Sequence, residues 1–194
     1  MADPEALSLI EFSSIAIGTR AVDALIKKAP VSVERLGTLQ PGKLAVLFTG
    51  DVASVDQSHA EALRVGASSV HDCVLLPFVH AAVYRATLGE VASWTGDTLG
   101  VVEGSSMAAT VDAADAAVKG ADVRVVQIRL GDELGGKGLS HFIGEQHDVE
   151  AALEIGMARA AGGERVLTSS ITPRLDDELR GLLAKSTRFW GGAS

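Results

Sequence analysis

A chain of 194 residues with 17 basic and 25 acidic side chains carries a formal charge of −8 at neutral pH, which disfavours a nucleic-acid backbone as partner. Hydrophobic residues make up 47%, enough for one large core or two small ones, yet no run of about 18 apolar residues is there to cross a membrane as a helix. The single cysteine, Cys73, excludes an internal disulfide, and the opening Met-Ala-Asp-Pro-Glu lacks the order of a signal peptide, so a cytoplasmic location is expected.

Residues 7–12 (Leu-Ser-Leu-Ile-Glu-Phe) form an apolar run suited to a buried strand, and Ser13 or Ser14 offers an N-cap. A helix follows with Val22, Leu25, Ile26 and Ala29 on its inner face, and Pro30 stops it. Residues 31–36 and 43–49 read as strands joined by a turn over 37–42. Gly50 and Asp51 then open a second helix with Val52, Val55, Ala62 and Leu63 inside, and residues 73–76 close the unit as a strand.

After a linker over 89–98 the same order returns. Residues 99–103 are a strand, Ser105 or Ser106 caps a helix with Ala114, Ala117, Val118 and Ala121 inside, and 123–130 and 139–143 form a hairpin. Residues 145–160 make the next helix and 166–171 the last strand, and Asp176-Asp177-Glu178 open a short final helix, where negative charge suits the N-terminus.

The two halves are copies. At a shift of 92 (103 minus 11), Glu11 falls on Glu103, Ser14 on Ser106, Asp23 on Asp115, Lys27 on Lys119 and Val33 on Val125. The shift grows to 94 at Gly50/Gly144 and 96 at Pro77/Pro173, so length changes fall in loops. A period this long is a whole domain written twice. Strand, helix, strand, strand, helix, strand is the split βαβ, ferredoxin-like order, an α+β fold with helices on one side of an antiparallel sheet. The expected domains are 1–96 and 97–184, with a tail over 185–194.

Enzyme chemistry finds little footing. Gly131 to Lys137 fits the first seven positions of a phosphate-binding loop, but Gly138 replaces the required hydroxyl and a strand follows instead of a helix. His71-Asp72-Cys73 is suggestive, but in a strand Asp72 points away from its neighbours, and a lone buried cysteine is usually a small hydrophobe. No close pair of histidines has metal-ligand spacing and no nucleophile elbow is present. Neither a catalytic role nor a cofactor or metal is expected.

Glu11-Phe-Ser-Ser-Ile-Ala, the run from Val22 to Val31, Pro41-Gly42-Lys43, Thr49-Gly50-Asp51-Val52 and Leu76-Pro77-Phe78-Val79-His80 together resemble the bacterial microcompartment shell domain. The second copy adds Ala114 to Val123, Leu134-Gly135-Gly136-Lys137 and Ile171-Thr172-Pro173-Arg174. The resemblance is to the unpermuted tandem-domain class and implies a homotrimer acting as a pseudohexameric tile of a shell in the cytoplasm. It implies tile-edge contacts at Lys27, Lys119, Arg174 and His80, reaching single-domain hexamers and pentamers. It also implies a central pore lined by Leu39, Gln40, Pro41 and Gly42 and by Leu134, Gly135 and Gly136, with Asp132 and Glu133 adding negative charge at one mouth. Some relatives hold an iron–sulfur cluster on a cysteine at the position of Gln40; glutamine is a poor iron ligand, so no cluster is expected. Small neutral polar metabolites are the expected cargo. The alternative is a duplicated ferredoxin-like protein that senses a small molecule between its domains.

Overall fold

The computed structural model describes residues 3–131, 133–162 and 165–188. The first half runs β1 (Ala6–Phe12), α1 (Ile15–Lys28), β2 (Ser32–Leu39), β3 (Lys43–Gly50), α2 (Val52–Gly66), β4 (Val70–Pro77) and α3 (Ala81–Thr87). The second runs β5 (Thr98–Gly104), α4 (Met107–Gly120), β6 (Arg124–Leu130), β7 (Gly138–Gly144), α5 (Gln146–Ala160), β8 (Leu167–Thr172) and α6 (Asp177–Lys185). The sheets are ordered β2-β3-β1-β4 and β6-β7-β5-β8, with every neighbouring pair antiparallel. This is the duplicated split βαβ fold that the sequence predicts.

Every residue of β1 is buried, because the two faces of its sheet meet different helices. Ile10 and Phe12, with Val46 and Phe48, pack beneath α1 and α2. Leu7 and Leu9, with Leu47, Val74 and Leu76, enter a cluster that continues into the second half through Met107, Val111 and Phe142. A strand covered on both faces has no polar alternation to keep, which explains the unbroken apolar run.

The helix that covers the second face is α4. Ten of its residues are buried, against four in its counterpart α1, because α4 lies between its own sheet and strands β4 and β1 of the first. Ala108, Ala109, Ala113, Ala114 and Ala117 let backbone approach on both sides. The two domains therefore share one core. The linker joins a smaller cluster, where Trp94 packs with Leu99, Val126, Ile143 and Leu175.

Some expectations shift. Ile26 is exposed, since the inner stripe of α1 runs through Gly18, Ala21, Val22 and Leu25. Strand β2 continues to Leu39, leaving a shorter turn, and Val166 lies exposed just before β8. Helix α3 was not expected; it packs on β6 across the domain boundary. Part of the predicted tail, residues 189–194, lies outside the described residues.

Candidate functional site

The two central hairpins meet at one end of the molecule. In the β2–β3 turn the Gly42 amide donates to the Leu39 carbonyl at 2.9 Å, and Gln40, Pro41 and Gly42 are exposed. The β6–β7 loop is wider: the Gly131 amide donates to the Lys137 carbonyl at 2.9 Å, and Gly131, Glu133, Gly135 and Gly136 all have positive φ. Gly136 is buried against the first turn; a β-carbon there would stand 2.8 Å from the Gln40 carbonyl oxygen and 3.5 Å from Leu39 Cδ1. Residues almost a hundred positions apart thus form one loop cluster. Glu133 does not supply free negative charge, because its carboxylate lies 3.5 Å from both Arg129 and Arg188. Asp132 lies outside the described residues.

Behind these turns buried polar groups join the domains. Glu11 is fully buried in β1; its Oε1 accepts the Ala108 amide of the first turn of α4 at 3.0 Å, and its Oε2 stands 3.7 Å from Lys43 Nζ. Burial pushes the carboxyl up to about 7, against the pull of the Ala108 amide and Lys43. The second copy holds the matching pair, Glu103 with Lys137, about half exposed.

Farther along β4, the Arg165 guanidinium donates to Asp72 through Nε and Nη2 at 3.0 Å, to Asp112 at 2.9 Å and to the Cys73 carbonyl at 2.7 Å. Ser106, the N-cap of α4, also donates to Asp72. Asp72 therefore serves the domain junction rather than a catalytic triplet. Burial raises the Cys73 thiol and so keeps it in the unreactive form. Cys73 sits on β4, at the opposite sheet edge from the strand that leads to Gln40. His141 is pushed down to about 4 by burial and then by Arg129, and packs tilted against Trp94 with ring centres 5.2 Å apart.

Lys27 and Lys119 occupy the last turns of α1 and α4, each bonded to the aspartate four residues earlier, at 2.7 Å to Asp23 and 2.6 Å to Asp115. His80 caps α3 through its side chain, and its amide donates to Asp115 at 2.8 Å, so it lies between the domains. Asp176 fills the same slot in copy two as the N-cap of α6. Arg174 is exposed in a left-handed corner at φ 50°, as is its counterpart Phe78 at φ 56°. The Glu11 and Arg165 clamps were not anticipated. The Glu11/Glu103 identity inside an apolar strand was the signal that could have found the first.

The BMC domain family profile matches the chain twice, over residues 6–79 and 98–175. The chain is 32% identical over 170 residues to the bacterial microcompartment shell protein PduT of Citrobacter freundii, covering 88% of this chain and 92% of that relative. It is also similar to the crystal structure of a microcompartment protein from Desulfitobacterium hafniense, at a TM-score of 0.78 and 34% identity, covering 91% of this chain and 98% of that one. A fused, permuted hexameric shell protein of the RMM microcompartment shares the fold at a TM-score of 0.60 and 23% identity, over 79% of this chain and 82% of that one.

Proposed function

We propose a function from one premise: the chain belongs to the BMC-domain family of bacterial microcompartment shell proteins. It is a structural component of such a shell. Three chains close into a ring of six similar domains, and the ring serves as a flat tile with a hole on its axis. The observation that carries this reading is the abutment of the Gln40 turn on Gly136. Two equivalent hairpins converge on one end of the chain, as adjacent sectors of a ring require. The internal contact is also head-to-tail, since α4 of the second domain lies on the sheet of the first, and a repeated head-to-tail contact builds a closed ring when the rotation permits.

The free front of the first domain fits the same reading. Ile15 is 40% exposed, whereas its counterpart Met107 is buried to 4% in the domain junction. A further copy of that junction would bury it. In the ring the turns at Leu39–Gly42 and Leu134–Gly136 alternate around the axis and admit small polar metabolites. The tile edges carry Lys27, Lys119 and Arg174 toward neighbouring single-domain hexamers and pentamers. None of this calls for catalysis.

The purified chain is expected at about 60 kDa (3 × 20.0) by sedimentation, forming sheets or closed shells with single-domain shell proteins; a monomer at micromolar concentration would overturn the ring. Replacing Lys27 and Lys119 together by aspartate should leave trimers intact and abolish sheets, and sheets that persist would overturn the edge assignment.

A further inference from the structure

We infer that a cavity between the two domains is a binding site for a small organic carboxylate with a hydrocarbon body, its charged end held by Arg35, Arg129 and Arg188 and its apolar part laid on Leu9 and Leu47. The site is separate from the hole proposed on the ring axis, and each chain carries one.

The floor follows from strand register. Leu9 of β1 pairs with Leu47 of β3, and Leu47 pairs with Arg35 of β2. Paired residues share a sheet face, so all three side chains rise on the face away from α1 and α2. Helix α4 covers this face over β4 and β1. Beside it, over β3 and β2, a cavity of about 630 Å³ remains, and β6 of the second domain walls its far side. That volume is in the range of small-molecule sites. Leu9, Leu47 and Met107 are buried and give it an apolar base, while Leu39 and Leu130, the last residues of β2 and β6, line its end nearest the turns.

The rim is built from cations. A bulge in β2 passes over Glu34, so that Arg35 takes the place opposite Leu47 and turns toward the cavity. Arg129 comes from β6 and Arg188 from the segment after α6. Arg35 donates to the Leu88 carbonyl and forms no ion pair among the described residues. Arg129 donates to the Thr187 carbonyl at 2.7 Å and shares the Glu133 carboxylate with Arg188, each at 3.5 Å. A guanidinium has five N–H donors, so most of them stay available. Glu34, the acid on the wall, already accepts the Thr49 hydroxyl at 2.7 Å. Three cations thus stand against two carboxylates around one cavity, on a chain whose formal charge is −8.

Floor and rim together select the ligand. Guanidinium groups match a carboxylate with paired N–H donors and repel a cation. A small hydrophilic anion would leave the leucine floor wet, and a neutral hydrocarbon would leave the donors without an acceptor. The second sheet does not repeat the site, because the counterpart of Arg35 is Gln127 (35 plus 92), which is bonded to Thr187 at 2.8 Å.

Calorimetric titration of the full chain with octanoate tests this. Octanoate should bind once per chain with a Kd of about 1 mM or below, and acetate and octanol, which each lack one half of the ligand, should bind at least about tenfold more weakly. Arg35→Gln should raise the Kd for octanoate about tenfold. Gly37 lies two residues along β2 on the same face, opposite Ala45, and a β-carbon there meets nothing within 4 Å. Gly37→Leu should therefore fill the cavity, keep the thermal midpoint and abolish octanoate binding. Octanol that binds as tightly as octanoate, octanoate binding that both variants leave unchanged, or no saturable binding to the wild-type chain would each overturn the site.

Discussion

Gly136 lies against Gln40 so closely that no β-carbon fits between them, with 2.8 Å left to the Gln40 carbonyl oxygen. Gly136 also has φ of +82°, where an L side chain is strained, whereas Gly135, at +62°, faces open space. Gly135→Ala should therefore cost only the left-handed backbone, about 1 kcal/mol. Gly136→Ala meets that strain and a backbone clash that nothing flexible can relieve, and should cost about 2–3 kcal/mol. Urea denaturation of the two variants checks the order, and equal midpoints would mean that the turns are not in contact.

Glu11 makes stability depend on pH in a defined direction. Its carboxyl is raised from 4.5 to about 7, so the folded chain binds this proton more tightly than the unfolded one. Its contribution is full below about pH 4.5 and is lost as pH rises through about 7. Glu11→Gln cannot ionise. Wild type should lose stability relative to this variant between those limits, by up to roughly 3 kcal/mol, with a constant difference above them. A difference that does not change with pH would contradict the buried setting of Glu11.

Arg165 pairs with two largely buried carboxylates at the domain junction, Asp72 and Asp112, and shares the second with Arg159. Arg165→Ala would leave Asp72 without a cation, while Asp112 keeps Arg159 at 3.1 Å, and should cost about 3 kcal/mol. Lys27→Ala breaks an ion pair of similar length, but one exposed to solvent, and should cost well under 1 kcal/mol. Chemical unfolding of the two variants separates these cases, and a small effect at Arg165 would mean that the shared core and the remaining polar links, such as Glu11 with the Ala108 amide, join the domains without it.

The elements were legible wherever burial on one or both faces left a period in the sequence. Residues 7–12 announced a buried strand, and Asp51, Ser106 and Asp176 announced the helix starts that they cap. Legibility failed where a residue answers to the other copy. Helix α3 has only seven residues, and what it covers is β6, a strand of the second domain, so nothing local marks it. Ile26 and Leu25 are adjacent, and only the packing of Gly18 and Ala21 against the sheet decides which turns inward. Glu11 could be seen to recur at Glu103, yet its purpose depends on α4 crossing to the first sheet, which no spacing within one copy encodes. The turns were found as turns, but their mutual contact was not.

Gln40 carries the last prediction, because it is exposed at the tip of the first turn with the Gly136 loop beside it. Three such amides alternating with three glycine loops would present donors and acceptors without charge, and selectivity in a narrow opening follows from diameter, lining groups and charge. Among the described residues the turns bring little compensating charge, since Glu133 is held by Arg129 and Arg188, and Lys43 sits beside Glu11. In the proposed ring Gln40→Glu would add three carboxylates around one axis and should slow anions several-fold while sparing neutral solutes. Gln40→Ala removes the amides and should speed both classes by widening the opening. Flux into assembled shells, measured for an anion and a neutral solute of equal size, distinguishes charge from width. If both variants match wild type for both solutes, solutes pass elsewhere and Gln40 does not line the route.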